Sequence, residues 1–240
     1  MIDTILFDLD GTLLKMNEKQ FIQSYFSRIQ ALFETLELDV PLVMKGFMQG
    51  VTAMISNDGH KTNEEVYWDT FVSVTNIQKE FLEPHLQTFY ETTFNEVIEA
   101  TDTYDDLQNM LDHLIDKGYT LLLTTNPMFP KIATMSRIRW AKLKAESFKE
   151  ITTFENYHYC KPNPKYYLEV LEKMGIQPSQ CLMVGNDAQE DLVVQKLGMT
   201  TYLVTDHLID RENNSYKTDY ESTMVEFIEF AINQLPDLKP

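Results

Sequence analysis

The sequence predicts an α/β fold: a Rossmann-like parallel sheet with helices on both faces and an inserted set of four helices near its start. Three observations carry that prediction. The run Thr4 to Phe7 is apolar apart from its first residue, as in a parallel strand covered on both faces. From Tyr104 onward, short apolar runs alternate with amphipathic stretches, a rhythm that gives parallel strands joined by crossover helices. Between residues 17 and 99 the apolar spacing is helical and no convincing strand intervenes.

The elements follow in order. Phe21, Ile22, Tyr25, Phe26, Ile29, Leu32, Phe33 and Leu36 share one helical face. A second helix is expected from about Pro41 through Met54, and a third opens at Thr62, whose spacing to Glu65 is that of a capping box. The fourth is expected over Leu82 to Ile98, with Pro84 near its start. After the insert, "YDDLQNMLDHLIDKG" reads as a helix stopped by Gly118, and "YTLLLTTN" as a strand. Residues 129 to 145 are expected to be helical, and Ile151 to Phe154 a short strand. "NPKYYLEVLEKMG" has Asn163 as cap, Pro164 at the first helical position and Gly175 as terminator. "CLMVGN" and "TYLVT" read as strands, "QEDLVVQKLG" between them as a helix, and Met224 to Leu235 as a closing helix.

Composition narrows the function. The 240 residues are 43% hydrophobic and 24% charged, the balance of a globular chain with a core of its own. A formal net charge of −17 argues against binding nucleic acid by neutralising its backbone. Cys160 and Cys181 form no C-x-x-C, so no disulfide framework is expected and a reducing compartment fits. No apolar run approaches the roughly 18 residues of a membrane span, and Asp3, Asp8 and Asp10 interrupt the start where a signal peptide would be apolar. The expected location is the cytoplasm, away from nucleic acid and membrane.

Ligands on parallel sheets sit beyond the carboxyl ends of the strands. Asp8 and Asp10 follow the first strand, Thr124, Thr125 and Asn126 the second, and Asn186, Asp187 and Asp191 the strand "CLMVG"; Lys161 stands just before a helix start in the same layer. Carboxylates, hydroxyls, an amide and one lysine make a divalent-metal and phosphate constellation, and Mg²⁺ takes such oxygen ligands. A metal also explains two neighbouring acids at the end of a buried strand, because it offsets their repulsion.

"DLDGTL", "TTN", "KPNPKYY" and "VGNDAQED", in that order and each at the end of an expected strand or helix, resemble the four motifs of the haloacid dehalogenase superfamily. They span residues 8 to 191, nearly the whole core. The helical insert between the first two resembles that family's first-type cap; it places the core at 1–15 and 99–240, the cap at 16–98, and hinges near Lys15 to Asn17 and Glu99 to Thr103. The resemblance implies that Asp8 is a nucleophile forming an aspartyl-phosphate and that Asp10 protonates the leaving alcohol and then activates water. It implies that the Asp8 carboxylate and the Asp10 backbone carbonyl bind Mg²⁺. It further implies that Thr125 and Asn126 hold the phosphoryl oxygens and that Lys161 neutralises the charge. An aspartate at position 10 favours phosphate chemistry over dehalogenation, since dehalogenating relatives lack a proton-shuttling acid there.

The fourth motif departs from the family's usual form, which has Asp directly after Gly; here the order is Gly185, Asn186, Asp187. Asp187 is preferred as the metal ligand, on charge, with Asp191 behind it; the Asn186 amide, which position favours, is the alternative, with weaker binding. Other residues have plainer readings. A solvated loop is the alternative for Asp8 and Asp10, and a surface side chain for Lys161. Thr124 and Thr125 face opposite ways on a strand, so only one faces the phosphate, and Thr125 is preferred. Cys160 reads as a packed small residue, Tyr67 and Trp68 as packing within the insert, and the five histidines lack metal-ligand spacing. Arg137 and Arg139 are given no role. The expected function is a Mg²⁺-dependent phosphatase acting on a small soluble phosphate monoester. A phosphomutase on the same scaffold, or a non-catalytic binding protein of this fold, is the alternative.

Overall fold

A computed structural model describes residues 1–213 and 215–239. The chain opens with β1 (Thr4–Phe7), passes through β2 (Lys15–Met16) and enters α1 (Glu18–Thr35), α2 (Val40–Ile55), α3 (Asn63–Thr75) and α4 (Lys79–Glu91). A 3₁₀ stretch, Thr93–Ala100, leads to β3 (Thr101–Asp102). Then come α5 (Leu107–Asp116), β4 (Thr120–Leu123), α6 (Lys131–Trp140), β5 (Glu150–Ile151), α7 (Pro164–Met174) and β6 (Cys181–Gly185). A 3₁₀ stretch at Leu192–Leu197, β7 (Thr200–Val204), β8 (Tyr220–Ser222) and α8 (Met224–Asn233) complete it.

The main sheet has six strands in the order β5-β4-β1-β6-β7-β8, and every neighbouring pair is parallel. This is the Rossmann-like α/β architecture expected from the alternation. The central strand β1 is buried along its whole length, which is why its sequence lacks polar alternation. Its register pairs Phe7 with Leu123 on one side and Val184 on the other, so the three chains leave the sheet at one level. At that level lie Asp8 and Thr124, each the first residue past its strand, and Gly185, the last of β6.

The helix starts are those their side chains dictate. Asn17 and Asp39 accept from the backbone N–H of Gln20 and Leu42, and the Thr62–Glu65 capping box forms in both directions. Asn163 caps α7, and Gly175 ends it in the left-handed conformation at φ 67°.

Several expected boundaries move, each for a local reason. The helix expected over Leu82 to Ile98 breaks after Glu91, where the Thr88 and Thr92 hydroxyls turn back onto the carbonyls of Pro84 and Thr88. Residues 129 to 145 yield only α6, because Pro130 precedes it and Lys142 lies in the left-handed region at φ 57°. The segment "QEDLVVQKLG" forms a six-residue 3₁₀ stretch rather than a helix, pinned at one end by Asp191 in the site and ended by Gly198 at φ 86°. The short strand expected at Ile151 to Phe154 is shifted to Glu150–Ile151. Two features have no counterpart in the expectation: β8, and an antiparallel ribbon in which Lys15 pairs with Asp102 and Met16 with Thr101. That ribbon joins the two places where the chain enters and leaves the helical segment.

The helices between the two halves of the ribbon pack around aromatic rings, with Tyr25 stacked against Phe21 and Tyr90 and edge-on to Phe94. α2 lies close on α3 because Gly46 and Gly50 present no side chain to Phe71, Thr75 and Tyr67. A Cβ on Gly50 would sit 2.6 Å from the Tyr67 ring. That ring is itself wedged among Phe47, Trp68 and Phe71. Gly50→Ala therefore sets a gain in helix propensity of about 1 kcal/mol against overpacking of about 1–3 kcal/mol. We expect a net loss of about 1 kcal/mol in urea denaturation; a more stable variant would show that the Tyr67 ring yields.

Candidate active site

Asp8 stands at the exit of the central strand. Its backbone N–H still donates to the Val184 carbonyl at 2.9 Å, so the carboxylate is fixed relative to the sheet rather than carried on a free loop. The chain then turns tightly: Leu9 accepts from Thr12 and Leu14, and Gly11 takes φ 87°. Gly11 is needed twice over, since a Cβ there would be strained and would collide with the Asn186 side chain.

Lys161 closes the site from the other side. It is 2% exposed, and its Nζ donates to Asp8 Oδ1 at 2.8 Å and to Asp191 Oδ1 at 2.7 Å. Burial works against its charge, but Asp191 and Asp8 outweigh it and hold the ammonium well above its ordinary pKa. Burial raises the pKa of both carboxyls against the attraction of the ammonium, and Asp191 is pushed up to about 6. One lysine thus serves two acids, of which Asp191 is wholly buried and Asp8 borders the cavity.

Asp10 faces a different cation. Arg137 on α6, 1% exposed, pairs with Asp10 Oδ2 through its Nη1 and lies over the Phe129 ring at 4.5 Å. Burial raises the Asp10 pKa, with Arg137 and Lys161 opposing. The second oxygen, Oδ1, is buried without a hydrogen-bond partner. The sequence gives neither arginine a role; Arg137 is buried against Asp10, while Arg139 is exposed.

The remaining predicted residues fall around this pair. Thr125 and Asn126 border the same cavity as Asp8, whereas Thr124 turns its hydroxyl to the Phe7 carbonyl and the Met183 sulfur. Asn126 ties two loops together: its Oδ1 accepts from the Lys161 N–H and its Nδ2 donates to Glu190. The three fourth-motif candidates separate clearly. Asn186 Oδ1 lies next to Asp8, both oxygens being within reach of the Thr12 hydroxyl, at 2.9 and 3.2 Å. Asp187 turns away: its Oδ1 accepts from the N–H groups of Gln189 and Glu190, and its Oδ2 pairs with Arg211 at 2.6 Å. Asp191 is held by Lys161 and by the Asp187 N–H.

Among the described residues no three His, Cys, Asp or Glu side chains converge as a dedicated metal cage. Mg²⁺ asks for less, since one or two protein oxygens with phosphate and water oxygens suffice. Asp8 and Asn186 fit that requirement: the single Thr12 proton cannot satisfy both of their oxygens, which leaves acceptor capacity in a buried spot.

The profile of the haloacid dehalogenase-like hydrolases matches residues 2–193. The chain belongs to this family of hydrolases. Over its whole length it is 25% identical to the pyrophosphatase PpaX of Bacillus cereus (strain AH820), covering 95% of that protein. Among solved structures it resembles a HAD phosphatase from Thermococcus onnurineus, with TM-score 0.59 and 23% identity over 95% of this chain and 97% of the other. It resembles a 2-haloacid dehalogenase from Pseudomonas syringae pv. Tomato DC3000 equally well, with TM-score 0.59 and 18% identity over 95% and 97%. The fold is therefore common to phosphatases and dehalogenases, and the choice between them falls to the side chains.

Sequence reasoning passed over four residues that the site uses. Tyr166 donates to the Thr125 carbonyl and to Thr152, and Tyr167 to the Glu190 carbonyl and Asp191, so the start of α7 straps the second and fourth motifs together. Glu190 borders the cavity, with its pKa raised by burial, and Arg137 holds Asp10. The adjacent tyrosines directly after Pro164 were the available signal for the strap. Arg137→Met removes a buried cation and leaves the Asp10 carboxylate facing an apolar neighbour. We expect a loss of about 3 kcal/mol, the low end for a broken buried pair because Asp10 is partly open to solvent. Adding Asp10→Asn should recover part of it, and a double-mutant cycle in urea measures that coupling; strictly additive losses would show that the pair is not energetically joined.

Proposed function

We propose that this protein is a Mg²⁺-dependent phosphatase that hydrolyses a phosphate monoester through Asp8. The observation that carries the reading is Asp10: a second carboxylate, two residues beyond the one bound to Lys161, bordering the same cavity. A dehalogenase has no use for an acid there, whereas ester cleavage needs a proton for the departing alcohol.

In this reading Asp8 attacks the phosphorus atom, and the ester P–O bond breaks. Asp10 gives its proton to the leaving oxygen, which departs as the alcohol. Asp10, now ionised, takes a proton from the water that attacks the aspartyl-phosphate, and phosphate leaves with Asp8 restored. Lys161 keeps Asp8 oriented and offsets the negative charge that gathers as phosphate arrives. Thr125 and the Asn126 backbone hold the phosphoryl oxygens, while the Asn126 side chain keeps the Lys161 loop in place. The Asp8 carboxylate, the Asp10 backbone carbonyl and Asn186 Oδ1 are the oxygens offered to Mg²⁺, which neutralises phosphate charge when bound. The burial that raises the Asp10 pKa favours its acid form at the first step. The helical segment, 16–98, serves as the cap, moving about the β2–β3 ribbon to exclude water over the ester. The relative PpaX, named a pyrophosphatase, supports hydrolysis at phosphorus as the shared chemistry.

Asp8→Asn should lose at least 99% of turnover, more than about 2.7 kcal/mol of barrier, with its circular dichroism spectrum unchanged. Substantial residual phosphate release would remove Asp8 from the nucleophile role. A second test concerns the metal. Chelation should abolish turnover, and Asn186→Asp should lower the Mg²⁺ concentration needed for half-maximal rate, while Asp187→Ala should leave it nearly unchanged. The reverse order in a Mg²⁺ titration would return the ligand role to Asp187.

A further inference from the structure

The acids at the strand ends open into a cavity of about 1000 Å³ whose far walls are supplied mainly by the helical segment. Two properties of that cavity bear on what the ester carries. Its walls are apolar and aromatic, including Phe21, Phe47, Met54, Trp68, Leu86 and Phe129. Its charged lining holds nine acidic residues beside Lys131 and Arg211, and six of those acids already have a close cation: Lys161 for Asp8 and Asp191, Arg137 for Asp10, Arg211 for Asp187, and Lys79 for Glu64 and Glu83. Arg211 is already bound to Asp187, and Lys131 is exposed at the start of α6, where Glu155 accepts from its backbone N–H. The helical segment itself contributes Glu18, Glu64 and Glu83 to the lining and no cation. Beyond the Lys161 end, the exposed Lys131 ammonium is the one lining cation without a carboxylate partner among the described residues. A second phosphate or a carboxylate held away from it, against the helical walls, would meet apolar surface or carboxylates, and burying it unpaired is costly.

One polar feature remains on the wall. The Tyr25 and Tyr90 hydroxyls lie 2.7 Å apart, and both rings border the cavity. Two phenols share that contact with one proton, so the other proton is left to donate. Burial keeps both phenols protonated, pushing Tyr90 up to about 12 and holding Tyr25 well above its ordinary value.

Resting on the phosphatase reading above, we propose that the substrate is the phosphate monoester of a bulky, largely apolar alcohol or phenol that carries no second anionic group, with a neutral acceptor such as a hydroxyl, ether or carbonyl directed to the Tyr25–Tyr90 pair. Inorganic pyrophosphate and sugar bisphosphates are disfavoured by the same walls. This separates the chain from what the name of its relative PpaX would suggest, and from a mutase that must hold a doubly phosphorylated sugar.

The test compares 1-naphthyl phosphate, inorganic pyrophosphate and glucose 1,6-bisphosphate on the full chain with Mg²⁺, reading phosphate release, and on the Asp8→Asn protein, reading binding by calorimetry. The expected result is a preference for the naphthyl ester of about tenfold or more in both kcat/KM and affinity, a modest demand for a whole aromatic group when one methylene in an apolar pocket gives tenfold. Ile22 lines the cavity and is 43% exposed, so Ile22→Lys places a cation in the wall without disturbing the core. It should shrink the preference severalfold. Turnover with equal or better use of either doubly anionic substrate would overturn this inference and leave the phosphatase reading standing. A naphthyl preference in binding without turnover of any ester would do the opposite. An Ile22→Lys protein with an unchanged preference would show that the walls do not select, and would also overturn it.

Discussion

A single buried ammonium organises the end of the sheet where the acidic loops meet. Lys161 lies between Asp8 and Asp191, which come from loops 183 positions apart in sequence but leave the sheet side by side. Without that cation, two carboxylates would be buried at close range with nothing to offset them. With it, the geometry of three loops is coupled. Asn126 fixes the Lys161 backbone, and Tyr167, in the first turn of α7, fixes Asp191. Gly185 lacks a side chain exactly where the Asp191 carboxylate folds back over the end of β6.

The parts of this arrangement that were legible in the sequence are those set by local pattern. Apolar runs ended by Asp8, Thr125 and Asn186 tell where strands stop, and a parallel sheet brings strand ends together, so the cluster follows from the sequence pattern. Arg137 was illegible for the opposite reason. A charged residue on a helix reads as solvated, and its burial is explained only by Asp10, far away in the chain and across the sheet edge. The same limit applies to β8, whose "YES" has no apolar signature and exists because β7 offers an open edge. The 3₁₀ stretch at Leu192–Leu197 has helical composition, but its first residue follows an aspartate already committed to Lys161. For Asn186 and Asp187, charge and position pointed in different directions. The contacts that set the two side chains apart, Arg211 on Asp187 and Thr12 on Asn186, are not adjacent in sequence to either.

The site and the cavity divide the molecule's chemistry between two kinds of structure. The acids and hydroxyls sit on strand ends, whose register holds them to the sheet. The far walls of the cavity come from helices packed through aromatic rings, Tyr25 among Phe47 and Phe89, with Phe94 from the 3₁₀ stretch and Phe129 from the loop before α6. The first can stay constant while the second changes, which is how a fold shared by phosphatases and dehalogenases accommodates unrelated ligands.

The β2–β3 ribbon has a consequence for how the chain finds its fold. β1 and β4 are adjacent strands, yet the whole helical segment lies between them in sequence. Pairing Lys15 with Asp102 and Met16 with Thr101 short-circuits that excursion. Once the ribbon has formed, the free loop joining β1 to β4 falls to roughly a quarter of its length, two halvings at about 0.6 kcal/mol of closure entropy each. A long insertion near the start of the chain thus acts, for the central sheet, as a short crossover, and the entropic search for the β1–β4 pairing is correspondingly reduced.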